Sequence, residues 1–148
     1  MQARRATAIK AVLACLALGA CAWFQGPPKS AAELIRPPVV FAGDLPCGSC
    51  AGILTEFELR PDGRWFMRSA YLGKGDDAVH EAMGTFSLSA DSDRLTLTGD
   101  REPPRQYRVE AEDAIRMLDR EGNEIDSALD YRLRRVEPYR ALKISTAE

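Results

Sequence analysis

Short stretches of alternating apolar and polar residues run through residues 39–137, and this pattern constrains the fold most strongly. Ile53, Phe57 and Leu59, for example, fall on one face of an extended chain, while the charged residues between them fall on the other. A period of two is typical of a β-strand with one buried face. The pattern therefore predicts strands whose apolar faces meet in a shared core.

Turn signals separate these stretches. Pro61-Asp62-Gly63 is a strong one, because proline presets its backbone angle and glycine accepts a positive φ. Seven short strands can be assigned, and residues 39–137 contain no helical stripe of about 10–12 residues. We expect an all-β fold, a small antiparallel meander that forms a closed or half-closed barrel, with a sandwich as the competing architecture.

Composition sets the size and excludes several functions. The chain has 148 residues, enough for about one domain, and it is 45% hydrophobic. Its net charge of −2 provides no basic stripe, so we expect no nucleic-acid partner. His80 is the one histidine, and we expect it to be an ordinary strand or loop residue. No nucleophile with a companion base is recognisable, so no catalytic residue and no enzymatic activity are predicted.

The N-terminus has the features of an export signal. Arg4, Arg5 and Lys10 form a positive region, and the apolar run 11–18 that follows is too short for a membrane-spanning helix. The run ends in Leu18-Gly19-Ala20-Cys21, which resembles the bacterial lipobox. We therefore predict a lipoprotein signal peptide over residues 1–20.

The lipobox resemblance implies that Cys21 becomes the first mature residue and carries the lipid, palmitate included. Three acyl chains would hold the domain stably on a membrane. Ala22 follows the cysteine, which by resemblance to enterobacterial sorting favours the periplasmic face of the outer membrane. Residues 21–38 hold four of the nine prolines and predict a lipid-anchored flexible tether. Residues 138–148 lose periodicity and predict a frayed tail.

The sharpest internal motif is the C-x-x-C pair, Cys47 and Cys50. Export would place it in an oxidising compartment, which favours a structural disulfide. Two thiolates also suit Cu(I), whereas a closed zinc site needs four ligands. A thioredoxin-type redox site is the third interpretation, but it requires a following helix, and a strand follows here. The spacing alone leaves disulfide, copper(I) and redox roles open, and no cofactor is required.

Several ordered segments resemble one family. The stretch GDLPCGSCAGI at residues 43–53, on a predicted lipoprotein, is similar to the N-terminal domain of the NlpE family. The resemblance continues in order through four further segments, Tyr71-Leu72-Gly73, Gly84-Thr85-Phe86, Leu95-Thr96-Leu97-Thr98 and the stretch Met117–Ile125. It spans about residues 40–136.

This resemblance implies a lipocalin-like β-barrel that is open on one side, within the predicted domain 39–137. It also implies roles in copper tolerance and in signalling envelope or surface-contact stress to a Cpx-type sensor kinase. The family's C-x-x-C corresponds to Cys47 and Cys50. The best-known members carry a second, OB-like domain, which the sequence ends too early to include, so functions of that domain are not expected here. The alternatives are a carrier of a lipid or another apolar ligand and a purely structural envelope interaction module.

Overall fold

The alternating stretches form eight antiparallel strands that close into one barrel. This computed structural model describes residues 27–74, 78–99 and 103–143. Each strand pairs with the next along the chain, and the last pairs with the first. The elements are α1 (Ala31–Leu34), β1 (Val39–Leu45), β2 (Ile53–Leu59), β3 (Arg64–Tyr71), β4 (Val79–Leu88), β5 (Arg94–Gly99), β6 (Arg105–Ala111), β7 (Ala114–Met117) and β8 (Arg132–Arg135). Within the described ranges, no helix has the length and apolar character needed to cross a membrane.

The all-β prediction is confirmed, and the seven predicted strands correspond to β2 through β8. β1 was not predicted as a separate strand, because its first residues are continuously apolar and do not alternate. Val39 and Phe41 are buried in the core, and Val40 on the other face is only 2% exposed. A strand buried on both faces loses the period-two signal.

Pairing of β1 with β8 closes the barrel, which corrects the expectation that one side is open and excludes the sandwich. The seam has two register pairs, Phe41 with Arg135 and Ala42 with Arg134, against seven between β1 and β2. Gly43 allows the close approach of the strands, since a Cβ there would lie 2.9 Å from the Arg132 carbonyl oxygen. The eight strands thus form a closed ring, and the ladder between β1 and β8 is the shortest in it.

Large side chains fill the centre of the barrel. The Phe57 ring lies 5.6 Å from that of Phe41 and 5.3 Å from that of Tyr107, measured between centroids. These rings pack with fully buried aliphatic side chains from the surrounding strands, namely Leu59, Leu95, Leu97, Ile115 and Leu133. The interior of the barrel is therefore a packed hydrophobic core.

The chain before β1 is folded onto the barrel, which corrects part of the predicted flexible tether 21–38. Ser30 precedes α1, and its backbone N–H donates to Glu33 Oε2 at 2.7 Å, as in a capping box. Ala31 and Ile35 are buried in the main core. The Ala31 N–H also donates to the Ser92 carbonyl oxygen at 2.8 Å, which ties α1 to the β4–β5 connection. A helix this short is stable only because it packs against the barrel.

The chain after β8 is also ordered, which corrects the predicted frayed tail 138–148 up to Leu142. Tyr139 Oη donates to Glu58 Oε1 at 2.5 Å, and the Leu142 N–H donates to Glu58 Oε2 at 3.2 Å. We refer to residues 136–142 as the C-terminal strap. Sequence pattern alone could not predict the strap, because its fixed points are single polar contacts rather than a periodic apolar face. The predicted signal peptide 1–20 and Cys21 lie outside the described residues.

Candidate functional site

The two internal cysteines lie in the connection between β1 and β2. Cys47 and Cys50 form a disulfide, with their Cα atoms 5.3 Å apart. Both residues are half-buried, so the disulfide is accessible at the barrel rim. Of the three roles that the spacing left open, the structure shows the disulfide.

Backbone hydrogen bonds hold the disulfide loop in place. The Ala51 N–H donates to the Leu72 carbonyl oxygen at 3.2 Å, and the Leu72 N–H donates to Gly52 O at 3.0 Å. Gly52 is buried against Asp44, and a Cβ at this position would overlap the Asp44 carboxylate. The loop is therefore fastened to the β3–β4 connection on one side and packed on β1 on the other.

The disulfide marks one end of the barrel. In an antiparallel meander, alternate connections lie at the same end, so the β1–β2, β3–β4, β5–β6 and β7–β8 connections share the disulfide end. The segment containing α1 bonds to the β4–β5 connection and closes the opposite end. The two ends thus differ: one is sealed by the chain's own N-terminal segment, and the other presents the cysteines.

His80 is a strand residue, in agreement with the sequence prediction. It lies on β4 opposite Ser69, is exposed, and its ring meets the edge of Tyr71 at a centroid distance of 5.2 Å. Among the described residues, no group of three or more His, Cys, Asp and Glu side chains is arranged to hold a metal ion. His80 and the cysteine pair therefore do not form a common three-ligand group.

The methionines divide between the core and the surface. Met67 is buried, and Met117 is half-buried against the core. Met83 differs from both, because it is 52% exposed. The register explains the difference, because β4 directs Ala82 and Gly84 inward and Met83 between them outward.

Glu58 and Tyr107 are both buried polar groups, and the burial of Glu58 was not anticipated from sequence. Glu58 is 1% exposed and accepts hydrogen bonds from the strap, although alternation placed it on the solvated face of β2. Tyr107 is fully buried, and burial raises the pKa of its phenol to about 12 despite the opposing effect of nearby Arg105. The burial of Glu58 follows from the strap that covers it, and the strap cannot be recognised from the local sequence pattern.

The chemistry available at the rim depends on the redox state of the cysteine pair. A disulfide has neither thiolate nor nucleophile, so the oxidised pair offers no soft metal ligand. The pair leads into β2 and not into a helix, which removes the helix N-terminus that lowers thiol pKa in thioredoxin-type sites. As observed, the site is a covalently closed loop on a rigid barrel end.

Comparison with known proteins places these features in one family. The NlpE N-terminal domain model matches residues 41–128, which include the cysteine pair. Lipoprotein NlpE of Escherichia coli strain K12 is 41% identical over 107 residues, covering 72% of this chain and 44% of the relative. The chain therefore spans less than half the length of this relative.

Two solved structures have a similar fold. The crystal structure of the Cpx pathway activator NlpE from Escherichia coli aligns with a TM-score of 0.54 at 33% identity, covering 75% of this chain and 53% of that one. The crystal structure of a protein from Shewanella oneidensis aligns with a TM-score of 0.59 at 32% identity, covering 71% of this chain and 94% of that one. Sequence and fold agree, and the chain belongs to the NlpE N-terminal domain family.

Proposed function

We propose that this chain is a lipid-anchored protein of the bacterial envelope that reports envelope or surface stress to a Cpx-type sensor kinase and contributes to copper tolerance. It acts by binding and signalling and not by catalysis. The observation that carries the proposal is the family match over residues 41–128, supported by 41% identity to Lipoprotein NlpE. A similar solved structure is described as a Cpx pathway activator, which supports the signalling role.

The anchor is proposed to be Cys21, with the barrel held at the periplasmic face of the outer membrane. The described chain begins at Pro27, six residues after Cys21, so the barrel would lie within about 20 Å of the lipid. Such a short distance would keep the domain close to the envelope surface, where stress arises.

Radioactive palmitate incorporation tests this anchor. Cells producing the wild-type chain should yield a labelled protein that sediments with outer-membrane fractions. The Cys21→Ala variant should lose the label. Cys15→Ala, which changes the cysteine inside the apolar run of the predicted signal peptide, should retain it. Label retained in Cys21→Ala at wild-type abundance would contradict the proposed anchor.

Copper(I) is the metal that the cysteine pair could accept, and only after reduction of the disulfide. Two soft thiolates suit Cu(I), which tolerates low coordination numbers, and Cys47 and Cys50 would be the residues that hold it. Bound copper would block reoxidation of the pair. In this proposal, a dithiol reductant of the envelope first reduces the Cys47–Cys50 disulfide by thiol–disulfide exchange, which leaves two thiols here and a disulfide on the reductant. The two thiols then lose their protons as they bind Cu(I), so copper tolerance depends on the thiol state of the envelope.

A Cu(I) competition titration tests this role on the chain with and without prior reduction. We expect binding tighter than about micromolar for the reduced wild type only, and loss of that binding in Cys47→Ser. The His80→Ala variant is the control and should bind as the wild type does. Equal Cu(I) affinity of the wild type and Cys47→Ser would contradict the copper role.

The packed interior argues against the alternative of a carrier for an apolar ligand. The space that a lipid chain would occupy in a lipocalin-like barrel contains the Phe41, Phe57 and Tyr107 rings, all fully buried. A carrier would have to displace this core, whose packing contributes to stability.

A further inference from the structure

Exposed apolar side chains concentrate on the outer face of β2, β3 and β4, next to the disulfide loop. Leu54 is 47% exposed and Val79 is 40% exposed. Register places Leu54 opposite Ala70, and Ala70 opposite Val79. Directly opposite side chains lie about 5 Å apart, so the three form a continuous apolar row across three strands. A continuous exposed row, unlike single apolar residues, indicates a contact surface.

The row borders a groove of about 400 Å³ that is lined by Leu54, Ala70 and the charged residues Asp44, Glu56 and Arg68. No hydrogen bond or ion pair joins the side chains of these three charged residues to other described residues. The groove therefore combines apolar side chains with the carboxylates of Asp44 and Glu56 and one guanidinium, a net negative charge.

The C-terminal strap already packs on the same outer face, near the β2–β3 connection. There the strap lies over Glu58, whose carboxylate accepts hydrogen bonds from Tyr139 Oη and the Leu142 N–H. Glu56 occupies the next outward position on β2, beyond the end of the strap contacts. The groove thus continues a surface that demonstrably accepts a protein segment through an outward carboxylate.

We propose that the apolar row and the groove beside it are the docking surface for a protein partner that presents an apolar side chain flanked by lysine or arginine. The apolar side chain would cover Leu54 and Val79, and the cation would lie over Asp44 and Glu56. A second copy of this chain fits less well, because it would bring a second excess of carboxylates to the contact. This inference rests on the proposed signalling function, since it assigns the surface that meets the kinase.

The test measures binding of the full lipidated chain, in detergent micelles, to the purified periplasmic domain of a Cpx-type sensor kinase. We expect Leu54→Glu and Glu56→Lys each to weaken binding about tenfold or more. Matched controls are Leu129→Glu, at another exposed leucine, and Glu112→Lys, at the opposite end of the barrel; both should bind as the wild type does. Raised salt should weaken wild-type binding more than binding of Glu56→Lys.

The outcomes separate the surface from the function. If the wild type binds and Leu54→Glu and Glu56→Lys bind equally well, the docking surface is wrong while the signalling role stands. If the wild type fails to bind at about 100 μM, the signalling role is contradicted, and the docking surface with it. Circular dichroism of each variant verifies that the barrel is folded, as expected for exposed positions.

Discussion

Gly84 shows how a single residue permits the packing of this barrel. Trp65 Nε1 donates a hydrogen bond to the Thr98 carbonyl oxygen at 3.1 Å, reaching from β3 past β4 to β5. The path is open because Gly84 lies between them without a side chain. A Cβ there would overlap the Thr98 carbonyl oxygen and lie 2.8 Å from Trp65 Nε1. The glycine therefore permits both the indole position and its hydrogen bond.

The Gly84→Ala variant should lower the free energy of unfolding by about 3 kcal/mol, because the methyl group meets backbone that cannot move aside. Urea denaturation followed by tryptophan fluorescence measures the loss. Gly48→Ala is the matched control and should be close to neutral, since a Cβ there has no atom within 4 Å. Equal stability of Gly84→Ala and the wild type would show that the indole contact is dispensable.

At the scale of single elements, the strap depends on one buried carboxylate. Glu58 binds the strap through Tyr139 and Leu142 and also pairs with Arg60, whose Nη2 lies 3.0 Å from Glu58 Oε2. The hydrogen bond to Glu58, reinforced by burial, raises the pKa of Tyr139. Replacing the carboxylate by an amide would remove the charge that pairs with Arg60 and leave one acceptor oxygen in place of two.

Glu58→Gln should release the strap and lower the free energy of unfolding by about 1–3 kcal/mol. Limited trypsin digestion, analysed by mass spectrometry, should show faster cleavage after Arg140 than in the wild type. Glu56→Gln, on the same face of β2 but outside the strap, serves as the control and should be cut at the wild-type rate. Unchanged cleavage in Glu58→Gln would mean that other contacts hold the strap.

The outer face of β5 to β8 carries an unusual row of like charges. Register places four arginines directly opposite one another across successive strands, namely Arg94, Arg108, Arg116 and Arg132. Like charges in such pairs are destabilising. Glu110 offsets this repulsion: its Oε1 lies 2.8 Å from Arg116 Nε, and its Oε2 lies 2.6 Å from Arg132 Nε. Arg108 also pairs with Glu124.

The row makes stability depend on pH through Glu110. Burial alone would raise the pKa of Glu110, but the hydrogen bonds and charges of Arg132 and Arg116 outweigh it and lower the pKa below 4.5. A carboxylate with a lowered folded pKa contributes stability above the unfolded value, and this contribution disappears as pH falls through the folded value. The contribution is therefore complete near pH 7 and is lost progressively below about pH 4.5.

Glu110→Gln should lower the free energy of unfolding at pH 7 by about 1–2 kcal/mol and flatten its decline as the pH falls below about 4.5. Urea denaturation at a series of pH values measures both effects. Glu112→Gln provides the comparison, because the one ion pair of Glu112 within the described ranges is with exposed Lys29, at 3.7 Å. An identical pH profile for Glu110→Gln and the wild type would exclude Glu110 as the group responsible.

In the molecule as a whole, the sequence predicts most of the strands but not the segments that pack over the barrel, namely α1 and the strap. Alternation identified β2 to β8, and the C-x-x-C located the disulfide loop. Alternation could not identify β1, α1 or the strap, because their burial depends on contacts distant in sequence. Closure through the β1–β8 seam likewise depends on strands separated by almost the whole domain. Local pattern therefore predicts the wall of the barrel, whereas long-range contacts determine how it closes.

The docking surface, like the closure of the barrel, could not be predicted from local sequence pattern. Leu54, Ala70 and Val79 come from three strands and are aligned only by register, which a sequence pattern does not fix. In the sequence, each is a single apolar residue at an outward position. The structure is needed to place them in one row beside the disulfide loop.

The proposed signalling of envelope stress by this barrel can be measured with a promoter under Cpx control. The chain is produced in a bacterium that lacks its own NlpE lipoprotein, and promoter activity is measured at matched protein abundance. We predict a several-fold rise with the wild type and with the Leu129→Glu control, and a much smaller rise with Leu54→Glu. If the wild-type chain is lipidated and abundant but promoter activity stays at the level of the empty vector, the proposed signalling role is contradicted.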